Sequence, residues 1–336
     1  MPLPIHNVLG ILSDNLKNRK SVIPLSPGKV DAWTRGLNIP FGGDTVIYTG
    51  QMYQLIPSIN SMSAVMAKFE DSWVTRFFGM GRIMNRIINI SWLMALGSGR
   101  EQKAYDNILK NIAILLKAAG VDFGYLYGKE LYSGALVYDE GLDEVFAEHA
   151  RRVYRTFKEN GVKQVITVDP HTTNMLKSVY PKIIDGYDLI TKSYLEILAE
   201  KDLKCVMRLS LELVIHDSCV YARHEGVVDE PRRLLKTAGA TIHVPELSGR
   251  LTQCCGGPLE SLFPGKAYEV AGKRVAQLAD CGNSIVTMCP ICLTNLRRAA
   301  NNTKLEIKDI SEHLVNSYCM PAGKKGEGGM AGTDKN

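Results

Sequence analysis

The sequence predicts an α/β protein built from two related parallel-sheet units, and three observations carry that prediction. Short β-branched runs alternate with helical stretches, the order that βαβ units produce. Segments also recur along the chain: Leu115–Gly120 returns as Leu234–Gly239, Gln164–Leu176 (QVITVDPHTTNML) as Ser284–Leu296 (SIVTMCPICLTNL), and Asp188-Leu189-Ile190 as Asp309-Ile310. The offsets of 119, 120 and 121 residues are nearly constant, as two copies of one unit require. Finally, the 8 cysteines all lie at or beyond Cys205, so the two copies differ in chemistry.

Taken in order, residues 1–43 read as an N-terminal arm with a short helix near Val8–Leu16, broken up by Pro24, Pro27, Pro40 and Gly42-Gly43. The first unit spans 44–200. Thr45–Tyr48 reads as a strand, Gln54–Phe69 and Gln102–Ala119 as helices, and Asp122–Leu126 as a strand. A helix from Leu142 carries Val145, Phe146, His149, Val153 and Phe157 on one face and stops at Gly161. His149 on that face reads as a packed residue. Gln164–Val168 is the next strand, followed by the turn Asp169-Pro170-His171-Thr172, a short helix Thr173–Val179 and a helix Asp188–Glu200. An apolar insertion near 70–100 has no counterpart in the second unit and reads as a cover or docking segment. The second unit spans 205–320, and the Gly- and Lys-rich residues 321–336 read as a disordered tail. The repeat makes both units Rossmann-like, in a pseudo-twofold arrangement. The turns after their strands then lie at sheet carboxyl ends, where open α/β sheets bind ligands.

Five cysteines form one pattern, C-x34-CC-x33-CxxC, with glycine directly after the vicinal pair: Cys219, then Cys254-Cys255-Gly256, then Cys289-Pro290-Ile291-Cys292. Thiolates are soft ligands that suit iron–sulfur centres or zinc. Structural zinc takes four ligands in a tetrahedron, which would leave a fifth cysteine spare, whereas a polynuclear centre can use all five. Cys205, Cys281 and Cys319 fall outside the pattern and read as small buried hydrophobes. In the first unit Gln51 takes the place of Cys219, Asp169-Pro170-His171-Thr172 replaces the CxxC, and Leu131-Tyr132 best matches the vicinal pair after a local shift. That unit has no thiol. Asp169, His171 and Gln51 read as hydrogen-bonded turn residues rather than ligands of a harder metal, and Leu131 and Tyr132 as side chains filling the vacated volume. His216, three residues before Cys219, reads first as a hydrogen-bond donor to a cluster sulfur or the turn backbone, with proton supply as its competing role. Arg223 and His224 are weaker candidates of the same kind.

This pattern resembles the cysteine-rich CCG domain found in one subunit of heterodisulfide reductase and in its relatives. The resemblance implies that Cys219, Cys254, Cys255, Cys289 and Cys292 hold one non-cubane [4Fe-4S] cluster. Both halves of that heterodisulfide reductase subunit carry the motif, whereas here only the second does. A single motif, with the turn Tyr48-Thr49-Gly50-Gln51-Met52-Tyr53, looks more like the relatives in dissimilatory sulfite reductase-associated and sulfur-oxidation heterodisulfide reductase-like complexes. The resemblance further implies an oxidoreductase subunit, acting on a disulfide, persulfide or thiol within a complex. Its partners would be a ferredoxin-like iron–sulfur subunit and a flavin-containing subunit. Iron–sulfur subunits of glycolate and lactate oxidases share the domain. A structural zinc protein or assembly scaffold is the rival from another class.

Composition narrows the remainder. With 45% hydrophobic and 22% charged residues the chain is globular, and a net charge of +5 from dispersed lysines and arginines points to no nucleic-acid partner. Its longest weakly charged apolar run, Ile87–Leu96, falls well short of the ~20 residues of a spanning helix, so no transmembrane segment is expected. Met1–His6 lacks the basic-then-apolar layout of a signal peptide, and thiolate ligands suit a reducing compartment, so a cytoplasmic location is expected. No GxGxxG follows a strand (Gly79-Met80-Gly81 falls in the insertion), and no GxxxxGK[ST] phosphate loop is present.

Overall fold

A computed structural model describes residues 5–23, 25–69, 98–201 and 203–319, without the side chains of 65–69. The body of the apolar insertion and the tail 321–336 lie outside the described residues. The arm is more ordered than its prolines suggest. Its helix α1, Ile5–Arg19, turns Val8, Leu12 and Leu16 inward at four-residue spacing and ends in Lys17 and Arg19, cations suited to a helix C-terminus. Trp33 of the arm is fully buried and meets Tyr125 edge-on, with ring centroids 5.0 Å apart.

The first unit contains β1 (Thr45–Tyr48), α2 (Met52–Phe69), α3 (Gly99–Ala118), α4 (Asp143–Glu159), β2 (Gln164–Thr167), α5 (Pro170–Asn174), β3 (Ile190–Ser193) and α6 (Tyr194–Glu200). The second contains β4 (Glu212–Ile215), α7 (Asp229–Thr237), β5 (Thr241–His243), α8 (Pro264–Ala279), β6 (Ser284–Thr287), α9 (Pro290–Ala299), β7 (Glu306–Asp309) and α10 (Ile310–Tyr318). All described strand pairs are parallel, in the orders β1-β2-β3 and β5-β4-β6-β7. Strands such as Val46-Ile47 and Ile285-Val286 are buried, as β-branched runs covered by helices on both faces should be.

Register confirms the repeat residue by residue. Val46 pairs with Val165, and Val214 pairs with Ile285, the residue 120 positions beyond Val165. Gln51 therefore stands where Cys219 stands in the second unit. The units exchange equivalent contacts: α10 packs on α3, while α6, the counterpart of α10, packs on α7, the counterpart of α3. Tyr53 donates to Asp309 (2.9 Å), and its counterpart Tyr221 hydrogen-bonds Ser193, the counterpart of Asp309. One continuous apolar core runs through both units, joining Ile112 and Tyr194 to Val214 and Leu314.

Three expectations need correction. The strand expected at Asp122–Leu126 is reduced to isolated bridges, because Gly124 and Tyr125 share their backbone bonds between the arm (Pro40, Gly42) and β1 (Thr45, Ile47). The helix expected over Asp188–Glu200 is a strand followed by a helix. Ile190–Ser193 completes the sheet, and the capping box of Ser193 and Glu196 starts α6. Asp309 and Glu312 form the same box before α10, so the repeat here matches Ser193 with Asp309 and displaces the predicted alignment of 188–190. Helix α5 starts at Pro170 and passes into a π turn, Met175–Val179, rather than running over Thr173–Val179.

Candidate metal centre

Strands β4 and β6 are neighbours, and the chain leaves the carboxyl end of each in a loop carrying a cysteine. Cys219 follows β4. Cys289 follows β6 as the N-cap of α9, with Pro290 at the first helical position. The CxxC thus occupies the positive end of a helix, where a thiolate is favoured. Asp169 makes the same cap in the first unit, its Oδ1 accepting from Thr172 N at 3.0 Å. The vicinal pair is set by Gly256, at φ +83°. A Cβ there would lie 2.4 Å from the Ala267 carbonyl oxygen of α8, so only glycine fits.

The five sulfurs form a connected set. Cys219 Sγ is 4.0 Å from Cys254 Sγ, Cys254 contacts Cys255, Cys255 contacts Cys292, and Cys292 contacts Cys289. Cys255, Cys289 and Cys292 are buried and the other two half-buried. Among themselves they divide the protons. The Cys219 and Cys255 thiols and the Gly256 N–H (3.4 Å) hold Cys254 far below the usual thiol value, which in turn pushes Cys219 and Cys255 up. Burial raises Cys289, but hydrogen bonds from Cys292 and His171 outweigh it and bring its pKa well down. Cys205, Cys281 and Cys319 are half-buried and belong to other contacts, Cys205 Sγ lying 3.2 Å from Ser317 Oγ.

His216 is fully buried behind the set. Arg274 Nε donates to His216 Nδ1 (3.1 Å), so in the neutral ring the proton is on Nε2. Among the described residues Nε2 has no hydrogen-bond partner, and a ring nitrogen of His216 lies within 4.8 Å of Cys255 Sγ and Cys292 Sγ. Burial, then the Arg274 charge, lowers its pKa to about 3. The geometry therefore suits an N–H donor to sulfur and does not suit the competing role of proton supply. Asp217 is held bidentately by Arg232 (2.6 and 2.8 Å) and accepts from Gly249 N, fixing the loop that leads to Cys254. Arg223 donates to the Arg250 and Thr252 carbonyls of the same loop.

Two contributors escaped the sequence reading. Arg274 is a fully buried cation beside the thiols, and its signal was available: it shares the inward face of α8 with Ala267, Ala271, Val275 and Leu278. The other is His171. Its Nδ1 lies 3.3 Å from Asp139 Oδ2, and it hydrogen-bonds Cys289 of the second unit. Burial pulls its pKa down, but the hydrogen bonds to Asp139 and Cys289 push it well above the ordinary value.

The corresponding place in the first unit is packed. Gly134 (φ +81°) and Gly256 (φ +83°) each precede a short helix in the same conformation, which matches the vicinal pair to Tyr132-Ser133 rather than Leu131-Tyr132. Tyr132 and Ser133 are buried, and Leu131 packs on the same core. Thr172 Oγ1 would lie 2.3 Å from a Cβ on Gly50, and Gln51 Nε2 is committed to the Glu130 carbonyl at 3.0 Å. An apolar cavity of about 70 Å³ lies near the junction, lined by Met52, Tyr132, His171, Gly257 and Ile291 among others.

The model of the cysteine-rich domain known as CCG matches residues 97–177 and 213–297, one segment in each unit. The chain belongs to the CCG cysteine-rich domain family. Among its CCG relatives, the EtfAB:quinone oxidoreductase of Syntrophomonas wolfei is 31% identical over 226 residues, covering 62% of this chain and 32% of the relative. The "Probable iron-sulfur-binding oxidoreductase FadF" of Bacillus subtilis is 32% identical over 252 residues, covering 70% and 35%. One subunit of the dihydromethanophenazine:CoB–CoM heterodisulfide reductase of Methanosarcina mazei is 25% identical over 221 residues, covering 60% and 52%. This CCG chain thus matches about a third of the first two relatives and about half of the third. Among its described residues no helix is long and apolar enough to cross a membrane.

Proposed function

We propose that this chain is the iron–sulfur redox subunit of a heterodisulfide reductase-like complex, with one non-cubane [4Fe-4S] cluster on Cys219, Cys254, Cys255, Cys289 and Cys292. The observation that carries this reading is the unbroken chain of sulfur contacts through all five cysteines, with no thiol at the matching positions of the first unit. The donor set fits the group: five soft ligands, three of them buried, beside a buried arginine and two histidine N–H groups. Relatives named as an iron-sulfur-binding oxidoreductase and as part of a heterodisulfide reductase support it.

When bound, the cluster would supply one-electron storage and an iron atom able to meet a sulfur substrate. The chain's own residues supply the rest. The Cys289 cap and the Gly256 turn fix the ligands, Asp217 and Arg232 hold the loop that presents Cys254, and Arg274 offsets thiolate charge in a poorly solvated setting. One cluster held there would exchange one electron at a time, so a two-electron reaction of a disulfide, persulfide or thiol would pass its second electron through another centre. A ferredoxin-like subunit, itself fed by a flavin-containing one, would provide that route in a cytoplasmic complex. The arm 1–43, the thiol-free unit 44–200 and the cluster unit 205–320 then divide the work between covering, supporting and binding.

Anaerobic purification with visible absorption and counts of iron and acid-labile sulfide tests the reading. One [4Fe-4S] equivalent per chain is expected after reconstitution with excess iron and sulfide. Two equivalents, or a colourless zinc protein, would overturn it.

A further inference from the structure

The residue at the centre of each repeat turn crosses the junction. In the second unit Ile291, between Cys289 and Cys292, packs against the first unit's apolar core as well as its own. Its counterpart 120 positions earlier is His171, in the turn that lost both cysteines. His171 crosses in the opposite direction and meets Cys289. The thiol-free unit therefore still touches the cysteine set of its neighbour, through a ring that is 6% exposed.

The ring is oriented from its other side. His171 lies between two acceptors, with Asp139 Oδ2 3.3 Å from its Nδ1 and the Cys289 sulfur also in contact, and a ring that donates to both carries both of its protons. Asp139 closes the short helix Ala135–Asp139, which begins after the left-handed Gly134 of the first unit's own degenerate motif. The relic of one cysteine motif thus aims a donor at the other. Hydrogen bonds between an imidazole and a thiolate are charge-assisted, and their strength grows with the negative charge on sulfur. An electron added to a cluster spreads charge onto its ligand sulfurs, so a donor at one of them favours the reduced form.

We propose that His171, oriented by Asp139, donates a hydrogen bond to the ligand Cys289 and raises the reduction potential of a cluster held by the second unit. The proposal rests on the cluster reading above. His171 is a positioning and tuning residue, because it reaches the iron only through the Cys289 sulfur. Loss of the donor shifts the ratio of reduced to oxidised cluster by about tenfold, which is 59 mV for a one-electron couple.

The test is a redox titration, followed by electron paramagnetic resonance, of the full anaerobically reconstituted chain and its variants H171L, H171Q and D139N. Iron and sulfide are counted in each. With clusters present throughout, H171L should fall by about 59 mV, H171Q should recover much of the difference through its amide N–H, and D139N should lie between. Equal potentials in wild type and H171L at full cluster content would overturn the proposal. Loss of iron in all three variants would also overturn it, by making His171 structural. A wild-type chain that takes up no cluster would instead sink the cluster reading, which keeps the two failures apart.

Discussion

Tyr53 Oη donates to Asp309 Oδ2 at 2.9 Å, joining the first helix of one unit to the last strand of the other in a site closed to water. Asp309 also caps α10, and burial raises its pKa to about 6 even with the Ser311 and Tyr53 donors in place. Removing the hydroxyl strands a buried carboxylate oxygen. Tyr53→Phe should cost about 1–3 kcal/mol, read by urea unfolding, while iron content stays at the wild-type level. An unchanged midpoint would show that the junction does not depend on this bond.

The ligand set predicts an asymmetry among cysteines. Cys254→Ser and Cys255→Ser should each abolish the cluster, because both lie within the run of sulfur contacts. Cys281→Ser should keep it, since that thiol donates to the Gln277 carbonyl instead (3.6 Å). Loss of iron from the Cys281 variant would mean that the five ligands are wrongly chosen.

Gly256 offers a backbone test of the same site. Alanine there meets both a left-handed φ of +83° and the Ala267 carbonyl oxygen 2.4 Å from its Cβ. The conformational penalty alone is about 1–2 kcal/mol, and the clash adds to it. Relief requires the turn after Cys255 to move, so Gly256→Ala should lose most bound iron while far-ultraviolet circular dichroism stays close to wild type. Full iron content in that variant would count against the turn as the device that sets the vicinal pair.

Glu130 predicts a pH dependence in the first unit. Burial raises its pKa from 4.5 to about 8, although the Thr49 hydroxyl and N–H both donate to it. The folded chain thus keeps a proton that the unfolded chain releases from about pH 4.5 upward. Stability is full below that value, declines as pH rises, and levels off above about pH 8. Glu130→Gln mimics the protonated group and removes the decline. Between about pH 6 and about pH 8.5 the variant should lose less stability than wild type, by about 2 kcal/mol, in paired urea titrations. Parallel curves would refute the assignment.

The sequence alone determined the repeat and the location of its chemistry. Both are written in linear order: β-branched strands, helical faces, and a cysteine pattern whose spacing survives any folding. It also showed that Gln51, Asp169 and Thr172 stand where cysteines of the pattern stand in the other copy, and the strand register agrees because paired strands inherit the repeat offset. Tertiary structure decided what each polar residue meets. His171 looked like part of its own turn, yet the exchange of contacts between units carries it to Cys289, a partner 118 positions away that no local pattern names. Arg274 belongs to no motif of the sequence, and only packing made it the donor that fixes the His216 tautomer. The match of Tyr132-Ser133 to the vicinal cysteines needed the φ angles of Gly134 and Gly256, because side-chain identity had diverged while the backbone turn had not. Periodicity and spacing are local properties of a chain, whereas the environment of a buried charge is set by whichever distant segment the fold brings against it.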